Sequence, residues 1–275
     1  MIGADYFLFF LGLIWVGIAT LCDLKKREVP NWLNFSLILF ALAFRYFYSV
    51  FAGFDYFLYG LLGFVFFFAL AHLFYYSRVF AGGDAKLLMG LGAVLPMFSD
   101  YLLNVQMLLY FVLIFMVIGS VYGLLYSFVL VFMRWERFRQ EFTSQLKKRV
   151  RLFFISLFFV LGAVIFAFYA GDIAWILPLI IFLLPFLYVY AKSVEEACMV
   201  KAISPSKITE GDWLYQPIKT QGKMILPRWE GLTKRQVEFI QEYYKKKVLI
   251  KQGIPFVPAF FFAYLFFFAK FLWLV

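Results

Sequence analysis

Long apolar segments recur along almost the whole chain, and they constrain its fold more than any other feature. A helix needs about 20 apolar residues to cross the hydrocarbon core of a bilayer. Apolar residues make up 65% of this chain of 275 residues, whereas soluble domains contain about 45–50%. The unbroken runs predict an all-α polytopic membrane protein with about eight transmembrane helices. The eight segments are Tyr6–Cys22, Leu33–Phe51, Tyr56–Tyr76, Leu87–Phe98, Val105–Met133, Leu152–Ala170, Ile173–Ala191 and Pro255–Leu274.

The basic residues predict the orientation of the chain in the cell membrane. Lys and Arg collect on the cytoplasmic side of membrane proteins. If the N-terminus lies outside, 24 of the 26 basic residues fall on the cytoplasmic side, and the opposite loops carry only Asp55, Asp100 and Asp172. Arg45 and Lys270 are the two exceptions, within apolar segments. The net charge of +10 is therefore a signal of topology, with contact to anionic lipid as a secondary role. Nothing in the sequence favours nucleic acid as a partner.

Five parts follow from this pattern. Residues 1–133 form a membrane core, 134–151 a basic cytoplasmic loop or helix, 152–191 a transmembrane hairpin, 192–254 a small cytoplasmic α+β subdomain, and 255–275 the last transmembrane helix. Helix 134–151 is expected to lie at the membrane surface.

Local signals predict structure inside the 192–254 subdomain. A turn at Gln221-Gly222 would join two extended pieces in a hairpin. Thr233 and Gln236 have the spacing of a capping box, which predicts a helix from there to about Lys247. Three apolar residues would share one face of that helix: Val237, Ile240 and Tyr244.

Two aspartates are the candidate catalytic residues. Asp23 ends an apolar segment that runs inward and Asp84 begins one that runs outward, so both lie at the same cytoplasmic depth although 60 residues separate them. Neighbouring carboxyl groups share a proton, so one can accept a proton from water while the other donates to the scissile carbonyl oxygen. Gly82 and Gly83 lack Cβ atoms, so they would let a substrate backbone approach and would permit unusual φ and ψ at their own positions. The pattern predicts an aspartyl protease of the membrane.

Other interpretations of the same residues stay open at this point. Asp23 could be a solvated neighbour of the basic residues that follow it, and Asp84 could cap its helix, which is compatible with catalysis. A proton- or cation-coupled transporter could use the same two carboxylates, although it would favour a midplane site and repeated halves, which this sequence lacks. A non-catalytic scaffold would assign no role to either aspartate.

A metal centre or another cofactor is not expected. Metal sites in proteins are built from clustered His, Cys and carboxylate ligands. The chain has a single histidine, His72, and two distant cysteines, Cys22 and Cys198.

Three motifs resemble those of the type IV prepilin peptidases, and they occur in the family's order. Asp23-Leu-Lys-Lys-Arg-Glu-Val-Pro-Asn31 is similar to the D-x-x-x-R-x-I-P-N signature of the family. Gly82-Gly83-Asp84-Ala85-Lys86 is similar to its GxGD-type motif, and Gly253–Phe260 to its P-F-x-P segment. The stretch from Gly211 to Thr233 resembles the archaeal branch, the preflagellin and prepilin peptidases.

The resemblance implies that Asp23 and Asp84 are catalytic. It also implies a prepilin or preflagellin substrate, the precursor of a type IV pilus or archaellum subunit, cut on the cytoplasmic side just before its hydrophobic helix. Ala81 stands where the family has the first glycine of GxGD. The cysteine pairs of the bacterial enzymes are missing from the sequence, so we expect no N-methyltransferase activity.

Three further residues are candidates for a supporting role. Lys86 could lower the pKa of Asp84 or anchor the chain to lipid. Pro255 and Pro258 could set a kink beside the site, or they could simply begin a helix.

Overall fold

The structure is a computed structural model, which describes residues 3–96 and 98–274 of the chain, with side chains as far as residue 270. Helices dominate the described residues. They are α1 (Gly3–Lys26), α2 (Asn31–Ala52), α3 (Asp55–Tyr76), α4 (Gly82–Val94), α5 (Tyr101–Met133), α6 (Trp135–Lys148), α7 (Val150–Ala170), α8 (Ile176–Cys198), α9 (Lys234–Tyr243) and α10 (Val257–Leu274).

Six of these helices are long and apolar enough to cross a membrane: α1, α2, α3, α5, α7 and α8, the last together with a short 3-10 turn. The prediction of a polytopic helical membrane protein is thus confirmed, and six of the eight predicted spans are long helices. Helix α10 is a shorter apolar helix. The predicted span Leu87–Phe98 differs more, because α4 has 13 residues and ends at Val94. At 1.5 Å per residue it is about 20 Å long, less than the hydrocarbon core of about 30 Å.

The chain divides into two compact units, of which the first comprises Met1–Leu124 and Pro255–Val275. Helix α4 lies inside this unit, packed against α1, α2 and α3. Glycines bring α3 and α4 together: a Cβ atom on Gly63 would clash with the carbonyl of Gly92, and one on Gly92 with the carbonyl of Gly63. Gly90 similarly makes room for Leu37 of α2. Small residues at such contacts let helix backbones approach closely, and they leave α4 buried over most of its length.

The second unit, Leu125–Ile254, contains the predicted helix in the basic 134–151 region. This helix, α6, buries Phe138 against Val194 and Cys198 of α8. Its remaining surface is mostly polar, as the sequence predicts for a helix between spans.

The same unit contains a small α+β region. Its strands are β1 (Val200–Ile203), β2 (Trp213–Leu214), β3 (Ile218–Thr220), β4 (Lys223–Ile225) and β5 (Val248–Lys251). An antiparallel sheet has the order β1-β5-β2, and β3 pairs with β4. The predicted hairpin is confirmed, and its turn residues Gln221 and Gly222 have φ of 46° and 72°, as a two-residue turn requires.

The capping box that opens α9 is also confirmed. The backbone N–H of Thr233 donates to Gln236 Oε1 at 2.9 Å, and the N–H of Gln236 donates to Thr233 Oγ1 at 3.4 Å. Val237 and Ile240 are buried on one face of the helix, and Tyr244 packs against the same cluster. The predicted end at Lys247 is wrong: α9 ends at Tyr243, because the chain must extend to pair β5 with both β1 and β2.

Candidate active site

Asp23 lies in the last turn of α1 and is only 6% exposed, so it is not the solvated residue of the alternative interpretation. Its Oδ2 accepts a hydrogen bond of 3.0 Å from the backbone N–H of Val257, the first residue of α10. The first N–H groups of a helix have no partner within the helix, and the positive end of the helix dipole favours an anion there. Pro255 and Pro258 lack N–H groups. The N–H group of Val257 therefore has no partner within α10, and the carboxylate of Asp23 accepts its hydrogen bond.

Asp84 is the third residue of α4, and Ala81 occupies the N-cap position. The backbone N–H of Ala81 donates to Asp84 Oδ2 at 3.3 Å. Alanine has no side-chain acceptor, so this is one half of a capping box. Asp84 thus caps the start of its helix from inside the first turn, and does not occupy the N-cap position itself.

The two aspartates interact electrostatically. Asp84 lies outside the six candidate spans, and its side chain is partly buried. Burial and the neighbouring charge of Asp23 raise the pKa of Asp84 to about 7, while the hydrogen bond from Ala81 opposes the shift. Like charges that lie close cannot both ionise easily. The pair can therefore hold one proton near neutral pH, as acid–base catalysis by two carboxyl groups requires.

Gly82 and Gly83 are the first two residues of α4. Both have ordinary helical geometry and neither has a positive φ, so the conformational freedom of glycine is not used here. A Cβ atom on Gly82 would lie 3.8 Å from Tyr75, and one on Gly83 would lie 3.5 Å from Val29. Both are ordinary contacts, so packing alone does not require glycine here. Approach of a substrate backbone stays a prediction for these positions.

Lys86 joins α4 to α2. Its Nζ donates to Asn31 Oδ1 at 2.7 Å and lies 5.8 Å from the ring centre of Phe35. The causes of the raised pKa of Asp84 are burial and Asp23, and Lys86 is not among them. The hypothesis that Lys86 lowers the pKa of Asp84 therefore has no support in this geometry. Asn31 is the last residue of the first motif, so this contact ties the first motif to the second.

The Pro255–Pro258 segment lies beside the same two motifs. Phe256 packs against Phe80, the residue before Ala81, with ring centres 6.2 Å apart. The hydroxyl of Tyr122 donates to the carbonyl of Pro255 at 2.9 Å. Pro258 is the second residue of α10, where the helix needs no N–H donor. The prolines thus begin a helix beside Asp23, and they do not kink one.

Asn34 is a residue of this site that the sequence analysis missed. It is completely buried on α2, and its Nδ2 donates to the carbonyl of Gly83 at 3.4 Å. Across residues 3–96 and 98–274, its Oδ1 has no hydrogen-bond partner. The spacing from Asn31 could have identified it in the sequence. Asn34 follows Asn31 by three residues, which places both on one face of a helix. A buried amide next to Asp84 belongs to the polar surroundings of the two candidate aspartates.

Within the described ranges, no three His, Cys, Asp or Glu side chains cluster closely enough to hold an ion.

Comparison with known proteins agrees with this geometry. Residues 10–124 match the model of the Type IV leader peptidase family. This part of the chain belongs to that family. The matched segment contains both aspartates and the asparagines of α2, while the Pro255–Pro258 segment lies outside it.

One relative carries a more specific name. A preflagellin peptidase of Methanocaldococcus jannaschii is 36% identical to this chain over 93 residues, which are 33% of this chain and 39% of that protein. The match therefore spans well under half of either protein. No solved structure matches the chain.

Proposed function

We propose that this chain is a membrane-embedded aspartic endopeptidase that removes the leader peptide of prepilins or preflagellins. The observation that carries the proposal is the placement of Asp23, buried at the end of α1, and of Asp84, in the first turn of α4, within the segment that matches the leader peptidase family. The charge of Asp23 contributes to the raised pKa of Asp84. The name of the archaeal relative favours a preflagellin as substrate. Because only 39% of that relative is matched, its substrate comes to this chain as part of the proposal.

The surroundings of the two carboxyl groups support different roles for them. Asp23 faces the N-terminus of α10, where the helix dipole favours negative charge. Asp23 therefore serves as the general base. Asp84, whose pKa is about 7, holds the proton and serves as the general acid. Asp23 takes a proton from a water molecule as the oxygen of that water attacks the scissile carbonyl carbon. Asp84 donates its proton to the carbonyl oxygen, which gives a neutral gem-diol.

The collapse of that intermediate returns the pair to its starting state. Asp23, now protonated, donates to the amide nitrogen as the C–N bond breaks. Asp84, now ionised, takes back a proton from the gem-diol as the new carboxyl group forms. The two protons and the water are balanced over the cycle, and the chemistry uses only the two carboxyl groups.

The membrane orientation of the proposal rests on the distribution of charge. With the N-terminus outside, the ends of α1 and α4 that carry the aspartates face the cytoplasm, together with Lys25 and Lys26. The eight predicted apolar segments then place 24 of 26 basic residues on the cytoplasmic side. A leader peptide on that side would meet the catalytic pair directly, while the apolar helix of the precursor stays in the bilayer.

A cleavage assay with purified protein in lipid vesicles tests the function. The wild type should shorten a preflagellin or a prepilin by its leader, whereas Asp23→Asn and Asp84→Asn should not. Asn keeps the shape of the side chain but cannot exchange a proton. Asp172→Asn is the matched control, because Asp172 is exposed and far from both aspartates in the sequence. Cleavage by either active-site variant at near the wild-type rate would exclude the proposed mechanism.

A further inference from the structure

The last carbonyl groups of α4 need hydrogen-bond donors that α4 itself cannot supply. The last carbonyl groups of a helix have no partner within the helix. In α4 they lie among completely buried residues, including Leu91, Ala93 and Val94, where water is not available to replace a missing donor. Buried carbonyl groups are nearly always hydrogen-bonded. A donor must therefore come from another element.

Arg45 of α2 supplies the donors. Its Nε donates to the carbonyl of Ala93 at 2.8 Å, and its Nη2 donates to the carbonyl of Val94 at 3.0 Å and to that of Pro96. Its Nη1 donates to the carbonyl of Tyr56 at 3.2 Å. One guanidinium group thus closes the end of α4 and joins it to the start of α3. Its positive charge also lies at the negative end of the α4 dipole.

The surrounding residues are arranged to accept a buried cation. Arg45 is completely buried, which is tolerated only when the charge is paired and hydrogen-bonded. The Tyr56 ring lies 4.9 Å from Arg45 Cζ, and its hydroxyl donates to Asp5 Oδ1 at 3.2 Å. Asp5 is 3% exposed. A Cβ atom on Gly60 would clash with Arg45 Cδ, so glycine at this position makes room for the side chain.

Helix α4 is held to α2 at both of its ends. Asn31 and Asn34 contact Lys86 and Gly83 near the aspartate, and Arg45 binds the far end. The eleven residues from Asp84 to Val94 form a rod about 15 Å long between its first and last Cα atoms, at 1.5 Å per step. Because this rod is too short to cross the bilayer, these contacts with α2 determine how far α4 is shifted along its own axis. They thereby determine the position of Asp84.

We propose that Arg45 is a positioning residue for the reaction: it fixes α4 through the carbonyl groups of Ala93, Val94 and Pro96, and thereby sets where the Asp84 carboxyl group meets Asp23. The proposal rests on the proposed peptidase function for its kinetic consequences, but the placement of α4 can be measured without activity. Arg45 touches neither the substrate nor the aspartates in this role.

The kinetic test compares Arg45→Met, Arg45→Lys and wild type in vesicles. Arg45→Met keeps an unbranched apolar stem that reaches about as far as Nε but removes every donor, so kcat should fall at least tenfold with little change in KM. Arg45→Lys restores a charge and some donors, and it should recover part of kcat. Leu37→Ala is the control, because Leu37 packs against Gly90 in the same α2–α4 contact and donates no hydrogen bond. If both variants lose the same amount of thermal stability, the kcat of Leu37→Ala should remain higher than that of Arg45→Met.

The second arm measures the position of α4 directly. Cysteines at positions 31 and 86, in a chain with Cys22 and Cys198 replaced by alanine, report the register of α4 on α2 through their rate of disulfide formation. Arg45→Met should change that rate severalfold, and Leu37→Ala should change it less. Gly60→Ala, which displaces Arg45 without removing it, serves if Arg45→Met does not fold.

Two results would overturn the role of Arg45. The first is a folded Arg45→Met or Gly60→Ala protein with wild-type kcat and crosslinking rate, and the second is an equal loss in Leu37→Ala. If the wild type cleaves no precursor, the proposed peptidase function is excluded. The crosslinking rates would then still test the role of Arg45.

Discussion

Replacement of Asp23 should separate its chemistry from its structural contact with α10. Asp23→Asn keeps an oxygen that can accept the hydrogen bond from Val257, whereas Asp23→Ala removes it. General acid–base catalysis contributes about 10²- to 10⁴-fold to a rate, or roughly 3–5 kcal/mol of the barrier. Both variants should therefore lose at least about 100-fold in cleavage rate. Loss of a helix cap costs about 1 kcal/mol, and leaving a buried N–H unpaired costs about 1–3 kcal/mol. Only Asp23→Ala should lose that stability.

Two measurements on the same preparations check this prediction. Single-turnover cleavage of a preflagellin reports the chemistry, and amide hydrogen exchange at Val257 reports the contact with α10. Exchange there should be faster in Asp23→Ala than in Asp23→Asn and wild type. An Asp23→Asn protein with substantial activity would refute the assigned chemistry. Equal exchange in both variants would show that Asp23 does not cap α10.

The remaining predictions concern the proton, the packing and the lysine. The cleavage rate should fall as pH rises through about 7, because Asp84 then loses the proton that it must donate; a pH–rate profile that stays flat well above neutrality would contradict this. Gly63→Ala should destabilise the protein by about 1–3 kcal/mol, because its Cβ would meet Gly92. Gly123→Ala is the control, because its Cβ atom would meet nothing within 4 Å. In the same unfolding assay it should leave the stability of the protein unchanged. Lys86→Ala should retain measurable peptidase activity, since Lys86 contacts Asn31 and not Asp84; complete loss would assign it to the catalytic machinery.

The features that the sequence predicted well are those with local causes. A run of about 20 apolar residues is long enough to span a bilayer wherever it folds, so six long helices could be recognised. The turn at Gln221-Gly222 and the cap at Thr233 depend on residues within four positions of each other. The common cytoplasmic depth of Asp23 and Asp84, inferred from the direction of the apolar segments that they bound, stays a prediction.

Features that depend on distant partners could not be predicted in this way. Asp23 meets Val257 across 234 positions of sequence. The sequence identified Arg45 as an exceptional charge in an apolar segment, but its acceptors come from α3, from the end of α4 and from the turn after it.

The length of α4 was missed for a related reason. Its apolar run continues past Val94, but Pro96 has no backbone N–H with which to continue the helical hydrogen bonds. The glycine contacts with α3 already hold the helix in place. Hydropathy alone reports none of these contacts.

The most direct test of the catalytic pair is the distance from each carboxyl group to a shared water in an experimental structure with an uncleavable preflagellin peptide bound. One water should lie within hydrogen-bond reach of both Asp23 and Asp84, about 2.6–3.2 Å from an oxygen of each, and beside the carbonyl carbon of the leader cleavage site. If the bound peptide instead leaves the two carboxyl groups too far apart to share a water, or places its cleavage site away from them, the pair does not perform the reaction.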